Sequence, residues 1–149
     1  MDPSSEALHR IDRLTDRQVE DLHGLYLGEW WTNRRGLDDV RRMVEHTQVL
    51  VGFAEGSPDG RLVAFARVIT DFVYKGLVLD VIVDPAHRGT GLGARLMDEV
   101  VDHPQLRDVS HLELYCRPEL EPFYERWGFS SDLGVLRFMR RGATAVPPS

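Results

Sequence analysis

Residues 79–100 read LDVIVDPAHRGTGLGARLMDEV, and the predictions of fold and function depend mainly on this stretch. The run LVLDVIV over residues 77–83 is nearly all apolar, as in a strand that is buried on both faces. Gly89, Gly91 and Gly93 then alternate where a helix pattern begins. Glycines allow the backbone to approach a ligand, and the free N–H groups and dipole of a helix N-terminus attract phosphate oxygens. The stretch therefore predicts a phosphate or pyrophosphate cradle over residues 88–94.

Two common phosphate-binding motifs fit this stretch poorly. A P-loop needs Lys followed by Ser or Thr after the last glycine, and Ala94 and Arg95 stand there instead. A dinucleotide-binding motif belongs after the first strand, with an acidic residue about 20 positions further on at the end of the next strand. Here the motif follows the fourth predicted strand, and Glu113 lies within a strand. Dinucleotide binding is the weaker interpretation.

Strand and helix patterns alternate along the remaining chain. Strands are predicted at residues 7–13, 49–54, 62–70, 77–83, 111–116 and 135–140, and helices at 16–30, 38–46, 92–101 and 119–127. Thr15 and Gln18 fit a capping box at the start of the first helix, and Leu14 and Val19 fit the hydrophobic staple around it. This order predicts a mixed α/β domain over residues 7–141, between tails at residues 1–6 and 142–149.

Composition excludes several classes of protein. The chain has 149 residues, enough for one domain, and 24 acidic against 18 basic residues give a net charge of −6, which argues against nucleic-acid binding through bulk positive charge. The single cysteine, Cys116, excludes an intrachain disulfide and a cysteine-based zinc site, and the six histidines show no metal-binding spacing. No run approaches about 18 apolar residues, and the first residues lack the layout of a signal peptide. We therefore expect a cytoplasmic protein without a metal or a membrane span.

Two motifs resemble those of one known family. Residues 88–93, RGTGLG, match the Arg/Gln-x-x-Gly-x-Gly/Ala signature of the GNAT superfamily of acetyl-CoA-dependent N-acetyltransferases. Residues 123–129, FYERWGF, match its F-Y-E-x-x-G-F segment, in the right order and after the expected helix pair and hairpin. The resemblance covers about residues 7–140. It implies a GNAT-like α/β (α+β) fold: a mixed sheet of six to seven strands with about four helices, whose fourth and fifth strands splay apart around CoA.

The resemblance also implies where acetyl-CoA, the acyl donor, binds. In the family, backbone N–H groups of the glycine turn hold the pyrophosphate, and the pantetheine arm lies along the end of the fourth strand. The N–H groups at the strand end can also polarise the thioester carbonyl. The corresponding residues here are Val81, Ile82, Val83, Arg88, Gly89, Thr90, Gly91, Leu92, Gly93 and Ala94.

The family's motifs indicate the proton donor more clearly than the general base. The family's tyrosine before the G-F pair often protonates the departing thiolate, and here it is Tyr124. An alkylamine has a pKa near ~10.4 and must lose a proton before it can attack. Some members carry a glutamate for this step at the position of Leu77, which is a departure here. Asp80 is the carboxylate within the strand and is our candidate base, with an ordered water or Glu113 as the alternatives.

The sequence indicates residues that could line the acceptor site but not the identity of the acceptor. In the family, the connection between the first two helices overhangs the acceptor site, so Trp31 is predicted to line it, together with Tyr115. Cys116 ends an apolar strand and is expected to be a small core residue rather than a nucleophile. The resemblance implies a small-molecule or peptide amine as acceptor and a homodimer as a common assembly, with no nucleic acid and no membrane as partners.

The sequence thus predicts an N-acetyltransferase that moves an acetyl group to a primary amine by direct attack in a ternary complex. One alternative is an acyl-CoA-binding sensor without turnover, which would bind CoA but form no product. The other is a dinucleotide-binding oxidoreductase, which would bind NAD.

Overall fold

Five strands form one sheet within residues 7–143, the part of the chain that this computed structural model describes. The strands are β1 (Leu8–Ile11), β2 (Val49–Glu55), β3 (Leu62–Thr70), β4 (Lys75–Val83) and β5 (His111–Glu113), and they are neighbours in chain order. The helices are α1 (Asp16–Leu27), α2 (Leu37–Glu45), α3 (Leu92–Val101) and α4 (Glu121–Glu125). The predicted α/β class is confirmed, with five described strands rather than six or seven. The predicted tails lie outside the described residues, apart from residues 142 and 143.

The chain divides into two compact units, one up to Tyr115 and one from Cys116 onward. The first unit holds the whole sheet and the first three helices. The second holds a 3-10 turn at Pro118–Leu120 and the short helix α4. The interpretation of residues 7–141 as a single domain stays a prediction.

The sheet opens between β4 and β5. Strands β1 to β4 are antiparallel, whereas β5 runs parallel to β4 and pairs with it at three positions, from Lys75↔His111 to Leu77↔Glu113. Beyond Leu77, the remaining six residues of β4 have no partner on β5. The last half of β4 therefore presents its backbone to an opening, as expected from the predicted splay.

Helices cover both faces of the sheet. One face packs Val51, Phe53 and Ala66 against Leu92 and Leu96 of α3. The other face packs Phe65 of β3 and Ile82 of β4 against Leu22 and Tyr26 of α1 and Val40 of α2. The predicted capping box starts α1: the Thr15 hydroxyl accepts from the Gln18 backbone N–H at 3.1 Å, and the Gln18 side-chain oxygen Oε1 accepts from the Thr15 backbone N–H at 3.0 Å.

A β-bulge lies in the middle of β4. Phe65 pairs with Ile82 and Arg67 pairs with Leu79, so Ala66 alone faces two residues of β4, Asp80 and Val81. Asp80 adopts a left-handed conformation there, with φ 57°. The extra residue reverses the alternation of β4.

As a result, the even-numbered side chains of β4 point to one face of the sheet before the bulge and to the opposite face after it. Val78 packs on the α3 side, whereas Ile82, an even number of residues later, packs on the side of α1 and α2. The side-chain direction of Asp80 depends on this bulge.

One predicted strand is wrong. Residues 135–140 carry no regular secondary structure, and their side chains are exposed, Val135 at 95% and Met139 at 88%. A strand needs a neighbour to satisfy its backbone groups, and the second unit offers none among residues 116–143. Likewise β5 ends at Glu113 rather than Cys116, because its pairing with β4 stops there.

Residues 7–143 contain neither a membrane-spanning helix nor a cluster of metal ligands. No helix in this range combines the length and the apolar character that crossing a bilayer requires. No group of three or more His, Cys, Asp or Glu side chains in this range could hold a metal ion.

Candidate active site at the opening of the sheet

The chain leaves β4 through a tight, self-capped turn. The Asp84 carboxylate accepts from the Ala86 N–H at 2.9 Å and starts a 3-10 turn at Pro85–His87. The Thr90 hydroxyl then donates to the His87 carbonyl at 2.5 Å. These local bonds fix the path of the backbone into the glycine turn without using the groups that a ligand would need.

The glycine turn is open on its outer side. Gly89 and Gly91 have φ of +77° and +84°, a conformation that most side chains rarely adopt. A Cβ atom built on either residue meets nothing within 4 Å. Both the conformation and the free space suit a ligand that approaches the backbone closely.

The N-terminus of α3 follows directly. Gly91 is its N-cap and supplies no side-chain hydrogen bond, so the first N–H groups of the helix have no side-chain cap. These N–H groups and the helix dipole favour an anion. The side chains of Leu92 and Ile82 are 2% and 4% exposed and belong to the core, so only their backbones can face a ligand. The arrangement fits the pyrophosphate predicted at residues 88–94.

Arg88 is held beside this turn by an acidic residue that the sequence did not suggest. Its guanidinium forms an ion pair with Glu29, and its Nε donates to the Val83 carbonyl at 3.3 Å. A cleft of about 420 Å³ lies between α1 and the end of β4, and Glu29, Ile82, Val83 and Arg88 are among its lining residues.

Asp80 lies at the centre of a buried polar cluster on the side of α1 and α2. Its Oδ2 atom accepts from the Tyr26 hydroxyl at 2.9 Å, from Arg35 Nη1 at 2.7 Å and from Arg67 Nε at 2.6 Å. Its Oδ1 atom accepts from Arg35 Nη2 at 3.2 Å. Arg35 also stacks on the Tyr26 ring, 4.7 Å from the centroid. The cluster ties the connection between α1 and α2 to the bulge of β4.

These contacts argue against Asp80 as a general base. Burial by itself raises the pKa of this carboxyl, but the hydrogen bonds and charges of Arg35 and Arg67 outweigh burial and lower the pKa below its ordinary value. A carboxylate that two guanidiniums keep ionised binds a proton weakly. The assignment of Asp80 as base stays a prediction, and a positioning role suits the geometry better.

The other predicted residues of the first unit lie on its surface. Glu113 ends β5 opposite Leu77 and pairs with Lys75 at 3.1 Å. Trp31 is 41% exposed in the connection between α1 and α2, and Tyr115 is 51% exposed just after β5. All three side chains are accessible to a ligand.

Tyr124 lies on α4 in the second unit, among aromatic side chains. Its ring contacts Phe123 and Phe129, with centroids 5.0 Å and 6.3 Å away. Burial, followed by the proximity of Cys116, raises the pKa of Tyr124 to about 12. The phenol is therefore protonated at neutral pH, as a proton donor must be. Burial and the nearby Glu121 also raise the pKa of the Cys116 thiol, which disfavours a thiolate nucleophile.

Comparison with known proteins decides the family. The model of the acetyltransferase (GNAT) family matches residues 6–129. The chain belongs to the GNAT family. It is thus a member of a family of acyltransferases whose donor is acetyl-CoA, as the two sequence motifs indicated.

Individual relatives agree with the GNAT assignment. The chain is 37% identical to serotonin N-acetyltransferase 2, chloroplastic, of Oryza sativa subsp. japonica, over 71% of this chain and 54% of that one. It is 33% identical to GCN5-related N-acetyltransferase 1, chloroplastic, of Arabidopsis thaliana, over 66% and 50%. A GNAT-family crystal structure from Xanthomonas campestris pv. campestris superposes with a TM-score of 0.74 at 31% identity and covers 92% of this chain and 94% of that one. The chain spans about half the length of these two plant relatives.

The sequence did not reveal every residue of the two polar clusters, around Asp80 and around Arg88. Tyr26, Arg35 and Arg67 surround Asp80, and Glu29 holds Arg88, yet none of the four was a candidate. Arg67 did carry a signal, because it is the one charged residue of the otherwise apolar run LVAFARVIT. The others lie in an ordinary amphipathic helix and its connection.

Proposed function

We propose that the protein is an N-acetyltransferase that transfers the acetyl group of acetyl-CoA to a primary amine. The observation that carries this proposal is the uncapped N-terminus of α3 behind two open glycines with positive φ, beside the unpaired half of β4. Membership of the GNAT family supports it. The name of the rice relative specifies serotonin, a primary amine, as that protein's acceptor.

The donor is held by backbone more than by side chains. The N–H groups of residues 89–94 face the pyrophosphate, Arg88 adds a positive charge, and residues 81–83 follow the pantetheine arm. Acetyl-CoA supplies an activated acetyl thioester. The unpaired N–H groups of β4 near the bulge stabilise negative charge on the thioester oxygen.

The reaction is a direct transfer. The amine nitrogen, once deprotonated, attacks the carbonyl carbon, so that a C–N bond forms as the C–S bond breaks. Tyr124 gives its phenolic proton to the departing sulfur, and the proton that the nitrogen loses as the amide forms restores the phenol by way of water. We assign the ammonium proton to water rather than to Asp80, because Asp80 is held ionised by two guanidiniums. Glu113 is the alternative base, and Glu113→Gln tests it by the acidic limb of the pH–rate profile.

The acceptor site lies under the connection between α1 and α2. Trp31 and Tyr115 line it in this proposal, since the side chains of both are exposed to a ligand. A homodimer, which the family suggests, is checked by light scattering during size-exclusion chromatography.

A thermal melt with acetyl-CoA, with NAD as the control, tests the donor. A ligand at 100 times its Kd adds about 2.7 kcal/mol of stability, which corresponds to a rise in Tm of roughly 5–10 °C for a domain of this size. A rise with acetyl-CoA alone supports the proposal, and a rise with NAD alone supports an oxidoreductase.

Turnover is tested separately, by release of CoA thiol in the presence of primary amines. The Cys116→Ser variant is assayed beside the wild type, because it lacks the protein thiol that adds to the background signal of the thiol assay. Its full activity would exclude a ping-pong route through Cys116. Binding of acetyl-CoA without product from any amine would point to a sensor module instead.

A further inference from the structure

Arg67 is a nearly buried cation with unused hydrogen-bond donors. It lies in the apolar strand β3, and its side chain is 11% exposed. Its Nε donates to Asp80, whereas its two terminal nitrogens donate to no residue within 7–143. Neither terminal nitrogen is a fully buried atom that lacks a partner, so both reach solvent and can meet a ligand. The terminal nitrogens of Arg67 can thus donate to an acceptor atom of a ligand.

The charge of the surrounding cluster is unbalanced. Two guanidiniums, those of Arg35 and Arg67, share one carboxylate, that of Asp80. Tyr26 adds a hydroxyl that donates to the same carboxylate and is neutral. Both terminal nitrogens of Arg35 are engaged by Asp80. One excess positive charge remains, and it is available at the terminal nitrogens of Arg67.

An apolar strip continues outward from Arg67 on the same face of the sheet. Arg67 pairs across the strands with Leu79, and Ile69 pairs with Leu77, so these four side chains share a face. Leu77 and Leu79 are half-buried and Ile69 is 45% exposed, and none of them belongs to the core under α1 and α2. The strip ends where β4 and β5 separate.

We propose that this strip binds the acceptor and that Arg67 binds a carboxylate of that acceptor. The preferred acceptor is then an amino acid with an apolar side chain. A single excess charge matches one carboxylate, whereas a phosphate dianion would need a second cation. A guanidinium also binds a carboxylate in a two-pronged geometry. Arg67 Nε lies 2.6 Å from Oδ2 of the bulge residue Asp80, which places this guanidinium at the unpaired half of β4. This inference rests on the proposed acetyl transfer.

Matched acceptor pairs test the carboxylate directly. Phenylalanine is compared with phenethylamine, and tryptophan with tryptamine, at saturating acetyl-CoA. Because charged hydrogen bonds are involved, kcat/KM for the amino acid is expected to exceed that for the plain amine by roughly 10- to 100-fold. This comparison uses the unaltered protein, so it does not depend on the folding of a variant.

Arg67→Met is expected to remove this preference and to leave the Kd for acetyl-CoA unchanged. Arg67→Lys retains the positive charge but not the two-pronged geometry of a guanidinium, so it is expected to keep part of the preference for amino acids over plain amines. Arg41→Met, on the exposed surface of α2, is the matched control and should keep all of it.

Plain amines that match or exceed the amino acids, or a preference that survives in Arg67→Met, would overturn the assignment of Arg67 but leave acetyl transfer intact. No acetylation of any amine would overturn the proposed function and this inference together.

Discussion

Replacing Gly91 by Asp and, in parallel, by Asn isolates the effect of charge at the pyrophosphate cradle. The two side chains have the same size, and both tolerate a positive φ better than other residues. Gly91 has φ +84° and free space around its missing Cβ, so neither replacement meets an obstacle in the folded protein. The Asp variant therefore differs from the Asn variant by one negative charge beside the N-terminus of α3.

The size of the effect follows from Coulomb's law. A carboxylate about 5 Å from a phosphate charge is repelled by ~0.8 kcal/mol in water, and the two charges of a pyrophosphate give ~1.7 kcal/mol. A local dielectric half that of water doubles this value. Gly91→Asp is therefore expected to bind acetyl-CoA roughly 20- to 300-fold more weakly than Gly91→Asn. Salt should reduce the difference, because it screens exposed charges.

Isothermal titration calorimetry measures both Kd values, and a thermal melt of the free proteins is the control. A negative charge at a helix N-terminus adds about 0.3–1 kcal/mol of stability. Gly91→Asp should thus melt at the same or a higher temperature than Gly91→Asn while binding more weakly, an order that misfolding cannot produce. Equal Kd values for the two variants would refute the assignment of the cradle.

Three further predictions address single side chains. Tyr124→Phe should lower kcat about tenfold or more with little change in the Kd for acetyl-CoA. Since the pKa of Tyr124 is about 12, ionisation of Tyr124 should cause no loss of rate below about pH 10. An unchanged kcat in the variant, with chemistry shown to be rate-limiting, would remove Tyr124 from the mechanism. Asp80→Asn should lower the free energy of unfolding by roughly 3–5 kcal/mol, because two guanidiniums lose a buried partner. Because folding lowers the pKa of Asp80, its carboxylate stabilises the folded state at pH values above its ordinary pKa, and this stability is lost as the pH falls through the pKa of the folded state. Urea unfolding should therefore show the loss below about pH 4 in the wild type and not in the variant. Glu29→Gln should tighten acetyl-CoA binding up to about fivefold by releasing Arg88, and weaker binding would show that Glu29 instead orients Arg88 for the ligand.

Local interactions explain why much of the fold was predictable. The capping box joins Thr15 and Gln18, three residues apart, so the sequence contains both partners side by side. The bounds of α3 were predicted to the residue, because a glycine N-cap and a regular apolar face define it. The glycine turn is equally local, since its positive φ angles need only glycine. The turn could therefore be predicted without a structure, whereas its binding of a pyrophosphate stays a prediction.

Pairing between distant segments explains the errors. Residues 135–140 have the composition of a strand, but a strand forms only beside a partner, and composition does not name one. The direction of Asp80 depends on the bulge, which arises from the register of β4 against β3. Arg35 and Arg67 lie 45 and 13 residues from Asp80 in the chain, so no local pattern joins them to it.

The sequence by itself determined the class of fold, the family and the conformation of the glycine turn, because each depends on short motifs whose residues act on their own neighbourhood. Only the tertiary structure decided that Asp80 is a buried, doubly paired carboxylate and that Arg67 retains unused donors beside an apolar strip. Those properties are sums of burial, charge and hydrogen bonding contributed by three separate segments of the chain. The physical reason is that a side chain's pKa and partners depend on what folding brings within a few ångströms.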